Sequence, residues 1–295
     1  MAVIDAIKKN QDLASLPHIA GKVLKMIQTR NTDLNQIAKL IESDPVLTMK
    51  LLRVANSPIF AQKNEIRSMQ HALMLLGMKR ISNIVLSVSI YSKFFANAHK
   101  QAAQLMEVFF QHSYATAMLA KTISQIFRKQ FDDNEYVGGL LHDIGKMVML
   151  QVHPKEYSLV RQLIKQEGLN ELSAEKEIFG ENHVEVGLQL AFMWKLPEEI
   201  HRIIAFYKFP QQCDQMIDLV SIVALSDEFA KSRAGLLALD RPLSDSESTF
   251  NYSGSNSWRA LVEQMPELKK INIGKLTKHL DVVLKKAPDS MEMLQ

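Results

Sequence analysis

The chain has 295 residues, 47% of them hydrophobic and 23% charged, with a formal net charge of +3 and only 11 Gly and 9 Pro. That balance belongs to a soluble, helix-leaning globular protein with room for one large domain or two modest ones, and it gives no electrostatic case for nucleic acid or an anionic membrane. A single cysteine, Cys213, excludes an internal disulfide framework and suits a reducing interior. With no histidine beside it in "QQCDQ", it reads as a free thiol rather than a nucleophile.

In chain order, the start "MAVIDAIKKN" lacks the apolar core of a signal peptide, and no run of about twenty apolar residues offers a bilayer span. "ISNIVLSVSIYSKFF" comes nearest, but its Ser, Asn and Lys suit a buried helix, so a cytoplasmic protein without membrane contact is expected. Apolar residues recur every three or four positions and alternation is scarce, which predicts an all-α fold. Helices are expected over Ile19 to Thr29 and Leu34 to Glu42. Asp44 and Pro45 open the next, and Ser57-Pro58 closes it. Ser68 caps another that stops at Gly77. Further helices are expected over Lys79 to Ala96, Ala103 to Lys129, Glu135 to Gln151, Tyr157 to Glu167, Glu171 to Ile178, His183 to Trp194, Glu198 to Tyr207 and Gln215 to Ser232.

Two shifts in composition suggest boundaries. "FANAHKQAAQ" is a polar junction near residue 100, and Leu239 to Trp258, rich in Ser, Asp and Asn, reads as a long loop. The expected division is 1–100, 101–235 and a tail 236–295, in which "KLTKHLDVVLKK" forms an amphipathic helix with a solvated lysine face. No repeat of solenoid period is visible.

Several polar residues fall on apolar faces. The stripe Leu105, Phe109, Thr116, Leu119, Ile123 and Ile126 includes His112, and Val220, Val223, Ala224 and Ala230 include Asp227. His183 shares a face with Val186, Gly187, Leu190 and Trp194, while "GGLLHDIGKMVML" sets His142, Asp143 and Lys146 in an apolar run. Burying these separately is expensive, and convergence on one cation is the cheapest common solution. Imidazole and carboxylate suit first-row divalent ions. An open coordination position would bring a bound water towards neutrality, making hydroxide for attack on phosphorus. Lys146, one turn beyond His142, is spaced to neutralise phosphate charge.

Each residue also has a plainer reading. His112 can be a hydrogen-bonded core histidine, and Asp227 can pair with a lysine or cap a helix. His183, near a helix start, is better read as facing solvent. His18, His71, His99, His153, His201 and His279 show no partner pattern, and the fifteen Met read as core filler.

Taken in order, "LPHIAGKVLKMI", "IESDPVLTMKLLRVANSPIF", "IRSMQHALMLLGMKRISNIVLSVSI" and "GGLLHDIGKMVML" resemble an HDOD domain, the helical bacterial signalling module related to HD and HD-GYP phosphohydrolases. The resemblance runs from about Leu16 to about Ala230, and the DP-LT-LR-ANS and A-LG segments are more specific than the HD pair alone. It implies a helical bundle with an N-terminal half and an HD-like half. His112, His142, Asp143 and Asp227 match the superfamily's order of His, HD pair and distant Asp. His183 matches the additional histidine that HD-GYP relatives use for a second ion. Where those relatives carry two consecutive histidines, this chain has Tyr207 and Lys208, and a lysine there puts a positive charge where the second cation would sit. The GYP signature is missing as well, with "HDIGKMVML" expected to continue as helix. The resemblance therefore implies at most one divalent ion (Fe, Mn, Ni or Zn) and no cyclic-di-GMP hydrolysis.

The expected function is that of a standalone HDOD signal-transduction or regulatory protein acting on signalling partners in trans. The alternative is a metal-dependent phosphohydrolase of a nucleotide or other phosphoester, with Asp143 and Lys146 catalytic. No nucleotide-selecting motif or Gly-rich phosphate loop supports the second reading, and nucleic-acid binding ranks far below both.

Overall fold

Side-chain caps open three of the helices that come first in the chain. In a computed structural model describing residues 3–10, 13, 15–28, 33–56, 65–96, 100–233 and 250–291, α1 (Val3–Lys9) and α2 (His18–Gln28) come first. Asp33, Asp44 and Ser68 then accept hydrogen bonds from the backbone N–H groups of Asn35, Leu47 and His71. They open α3 (Leu34–Glu42), α4 (Pro45–Ala55) and α5 (Met69–Leu76). Gly77, at φ +80, closes α5 in a conformation that favours glycine. The chain turns there into α6 (Met78–Ala96), whose Ile81, Ile84, Val85, Val88 and Phe94 are buried. Helices α2, α4 and α5 pack on α6 and complete the N-terminal half.

The second half is built round α7 (Lys100–Ile126), a helix buried on nearly every side from Phe109 to Ser124. It is followed by α8 (Asn134–Leu141), α9 (Ile144–Val152), α10 (Pro154–Glu167), α11 (Glu171–Phe179), α12 (His183–Met193), α13 (Glu198–Phe206) and α14 (Ile217–Ser232). Then come α15 (Asn256–Gln264) and α16 (Ile273–Met291). Helices α8, α14 and α16 pack against α7, and α9 packs against α12. Among the described residues there is no strand, and no helix is long and apolar enough to cross a membrane.

Two glycines allow the closest approaches of one backbone to another. A Cβ on Gly139 would lie 2.6 Å from Ala117 Cα, and one on Gly145 would lie 1.9 Å from the His183 carbonyl oxygen. Their bare backbones let α8 settle on α7 and α9 on the start of α12. The two halves are also tied by charge. Lys121 of α7 pairs with Asp133 and, at 3.1 Å, with Glu135, while Arg80 of α6 reaches the other oxygen of Asp133. Nearby, Asn83 donates to the Asp132 carbonyl at 2.8 Å.

Some boundaries differ from expectation. The single helix expected over Glu135 to Gln151 is two, with His142 and Asp143 in the turn between α8 and α9. Both helices are buried along their whole described lengths up to Leu150, so the apolar pattern runs through the break without a sign of it. The helix expected to reach Lys129 stops at Ile126, and Arg128 takes φ +55. The loop expected to reach Trp258 ends earlier: the Ser255 hydroxyl accepts from the Trp258 N–H and starts α15. The tail is integral to the second half, since Trp258, Leu261, Leu280 and Leu284 are buried and Arg233 holds Asp281 at 2.8 Å. The expected stop at Ser57-Pro58, positions 97–99 of the junction and 239–249 of the loop lie outside the described residues.

Candidate metal centre

His112 comes from the middle of α7, His142 and Asp143 from the turn between α8 and α9, and Asp227 from α14. All four are buried, and one ligand atom from each lies within 4.8 Å of the others. His112 Nε2 is 2.8 Å from Asp227 Oδ1 and 3.8 Å from Asp143 Oδ2. His142 Nε2 is 3.3 Å from Asp227 Oδ1 and 3.4 Å from Asp143 Oδ2. The stripe readings for α7 and α14 thus describe faces that meet, and the turn aims the HD pair between them.

The His142 ring tests whether these residues fit an ion. Its Nδ1–H donates to the Gly139 carbonyl at 2.7 Å, an oxygen that can only accept. Its Nε2 is therefore the free nitrogen. It is 0% exposed, makes no hydrogen bond, and faces two carboxylate oxygens. A lone pair against two acceptors is repulsive unless a proton or a metal cation lies among them. Two imidazoles and two carboxylates form a donor set for a first-row divalent ion, so the residues fit.

Beside this group lies a second one, Glu171, Glu175 and His183, again close enough to share an ion. Here protein groups fill the space. His183 is fully buried, not solvent-facing as its place near a helix start suggested. The sequence of α12 places it at the first turn, but that turn is covered by α9 and α11 residues. Its Nδ1 lies 2.6 Å from Glu175 Oε2, which also accepts from the His183 backbone N–H at 2.8 Å. Its Nε2 lies 2.7 Å from the Tyr207 hydroxyl, which donates in turn to Asp143 Oδ1. His183 is brought within 3.5 Å of Asp143 but stands outside the four-residue group, with the Tyr207 hydroxyl bonded to both residues.

Lysines complete the surroundings. Lys146 is buried and donates to Asp143 Oδ2 and Glu171 Oε1, both at 2.7 Å. Lys231 binds Asp227 Oδ2 at 2.8 Å from a more open position. Lys208 lies over the Tyr207 ring, 3.6 Å from Glu171 Oε2 and 4.0 Å from Asp227 Oδ2. Burial alone would raise the Asp143 and Asp227 carboxyls, yet both are held well below the usual carboxylate range. His142 and Lys146 do this for Asp143, and Lys231 and Lys208 for Asp227. Burial pushes the Lys208 ammonium down, with help from Lys231, to about 8. Burial also lowers His112, whereas the carboxylates beside His142 outweigh its burial and raise it. Acids and cations hold one another ionised in a largely dry site.

Sequence reasoning missed Glu171, Glu175 and Lys231. A faint signal existed: Glu171 and Glu175 are one turn apart, as are Asp227 and Lys231. Such pairs are common on solvated faces, so spacing alone did not single them out. Of the histidines without an expected partner pattern, His18 and His279 are exposed and His71, His153 and His201 half-buried; His99 lies outside the described residues. Cys213 is buried, its thiol donating to the Gln215 carbonyl.

The comparisons with known proteins agree with this architecture. An HDOD domain model matches residues 13–210. An HDOD domain protein of unknown function from Geobacter sulfurreducens superposes with a TM-score of 0.74 at 24% identity, covering 93% of this chain and 92% of that one. A protein from Shewanella amazonensis SB2B, whose name places it provisionally among the phosphohydrolases, superposes with a TM-score of 0.71 at 18% identity over 99% and 98% of the two chains. At such identities these likenesses speak to the fold. An uncharacterized protein of Treponema pallidum (strain Nichols) is 26% identical over 226 residues, 73% of this chain, and the match takes in only 42% of that relative's length. With a domain model that takes in most of its length and an all-helical fold shared with a solved HDOD protein, the chain belongs to the HDOD family.

Proposed function

We propose that this chain is a regulatory HDOD protein that acts on signalling proteins in trans and holds one divalent transition-metal ion (Fe, Mn, Ni or Zn) in its HD-like half. The observation behind the reading is the contrast between two neighbouring groups. His112, His142, Asp143 and Asp227 surround a buried imidazole nitrogen without a hydrogen bond, while the adjacent Glu171–Glu175–His183 group is already filled by Tyr207 and lysines. Such an arrangement suits one ion rather than two. His112 Nε2, His142 Nε2, Asp143 Oδ2 and Asp227 Oδ1 would hold it, with Gly139 and Tyr207 orienting His142 and Asp143 from behind. When bound, the ion supplies Lewis acidity towards a phosphoryl oxygen.

The proposed partner-facing half is the N-terminal one. Val46 and Met49 on α4 are 60% and 49% exposed, and Met74 on α5 is 71% exposed, a set of apolar side chains with no internal duty.

A second reading has one observation in its favour: Asp143 and Lys146 are in contact at the centre, as a metal-dependent phosphohydrolase of a nucleotide or phosphoester would need. Against it, both acceptors of Lys146 belong to the protein itself. One experiment separates the readings. Purified protein is analysed for metal per chain and assayed for turnover of bis(p-nitrophenyl) phosphate with Mn, Ni, Fe or Zn. The regulatory reading expects one ion, lost in His112→Ala and Asp227→Ala, and no turnover above that of Asp143→Ala. Turnover abolished by Asp143→Ala would establish the hydrolase instead, and absence of metal would overturn the centre itself.

A further inference from the structure

The polar network round the centre contains four carboxylates, Asp143, Glu171, Glu175 and Asp227, and three ammonium groups, Lys146, Lys208 and Lys231. With the imidazoles neutral, the network carries one negative charge in excess, and a divalent ion would turn that into one positive charge. The lysines are not equivalent. Lys146 is enclosed and satisfied by two carboxylates, so it is a strut. Lys208 makes no hydrogen bond to any described residue: its nearest carboxylate oxygens are 3.6 and 4.0 Å away, and its side chain is 19% exposed. The Lys231 side chain is 40% exposed and, among the described residues, holds only Asp227.

Asp227 divides its two oxygens between these neighbours. Oδ1 faces the imidazoles of His112 and His142, whereas Oδ2 faces Lys208 and Lys231. Once Oδ1 and Asp143 Oδ2 are committed to a cation, Asp227 has less charge to offer the two lysines on its outer side. Two ammonium groups then stand at the solvent edge of a net-positive centre without full compensation.

We propose that Lys208 and Lys231 form an anion subsite at the mouth of the centre, one that takes the phosphoryl oxygens of a phosphate or phosphate monoester only when the centre holds a divalent cation. The inference rests on the one-ion reading above and deepens it. Cation and phosphate bind cooperatively, and the chain reports the presence of both. Lys208 and Lys231 are specificity-determining residues for the anion, and neither is a ligand of the cation.

The test is calorimetric titration of the full chain with inorganic phosphate, with and without prior loading with Mn²⁺, whose own titration is recorded first. The subsite predicts phosphate binding in Mn²⁺-loaded protein and none in metal-free protein. Lys208→Ala and Lys231→Ala should each weaken phosphate binding about tenfold or more, the scale of a lost charge-assisted hydrogen bond, while both still take up one Mn²⁺. The ³¹P line of phosphate should broaden in loaded wild-type protein and recover in the double variant, which locates the anion beside the ion. Because both side chains reach solvent and the bound ion compensates Asp227, thermal melts of the Mn²⁺-loaded variants should match that of loaded wild type, separating a lost subsite from lost folding. Phosphate binding equal in loaded and metal-free protein, or unchanged in both variants, or absent from loaded protein, would overturn the subsite and leave the one-ion centre standing. Failure of the Mn²⁺ titration itself would overturn the centre and the subsite together.

Discussion

His142 Nε2 is the atom on which the site turns. Gly139 occupies the other ring nitrogen, and two carboxylates of depressed pKa confront this one. Tyr207 fixes the far oxygen of Asp143 in turn. Outer partners of this sort commonly contribute 10–100-fold to metal affinity. Tyr207→Phe should therefore weaken Mn²⁺ binding by about one to two orders of magnitude in a competitive chelator titration; an unchanged constant would mean that the hydroxyl only fills space. The depressed carboxyls also have a consequence in acid. Their folded-state pKa values lie below the unfolded value of about 3.9, so the stability they contribute is fully present above that pH and is lost as pH falls below it towards the folded values. Metal-free protein should lose urea resistance as pH drops below about 4, and Asp227→Asn should be weaker at neutral pH but show a shallower acid slope. At this scale the sequence was readable where a polar residue interrupted an apolar stripe, as at His112 and Asp227. It was misleading at His183, where a helix start that usually faces water is covered, and silent at Glu171, Glu175 and Lys231.

Helices bring these residues together through two features. The first is the turn between α8 and α9, which no periodicity could reveal because both helices are buried as far as Leu150. The second is backbone contact at glycine. Gly145→Ala would push a methyl group into the His183 carbonyl and part α9 from α12. A loss of about 1–3 kcal/mol or more in chemical denaturation is expected, the scale of overpacking, together with weaker metal uptake. A methyl accommodated at no cost would show that the approach is looser than described. Between α6, α7 and α8, the Lys121–Asp133–Glu135–Arg80 cluster joins the two halves. Burial already raises the Glu135 carboxyl, and among the described residues Lys121 is the only cation paired with it. Lys121→Met leaves that carboxylate buried and uncompensated, so unfolding free energy should fall by about 3–5 kcal/mol at neutral pH. A fall well under 1 kcal/mol would mean that water reaches the cluster.

For the whole molecule, periodicity of three to four residues announces an all-helical fold, and caps at Asp44, Ser68 and Gly77 set several boundaries. Four ordered motifs pointed to the HDOD family, which the domain match over 13–210 bears out. Less legible was the tail, whose polar approach read as a long loop although Trp258 and Leu280 are built into the core round α7. Helix α6 packs against α7 and α8, so on the proposed function an ion at the centre and a partner on α4 and α5 would act on one continuous body of packed helices. All of this depends on four side chains from three separate parts of the chain sharing one ion. Anomalous diffraction from Mn²⁺-loaded crystals at the manganese edge tests that most directly. The account predicts a single peak about 2 Å from His112 Nε2, His142 Nε2 and the facing oxygens of Asp143 and Asp227. A map with no peak there, or with its peak among Glu171, Glu175 and His183, would contradict it.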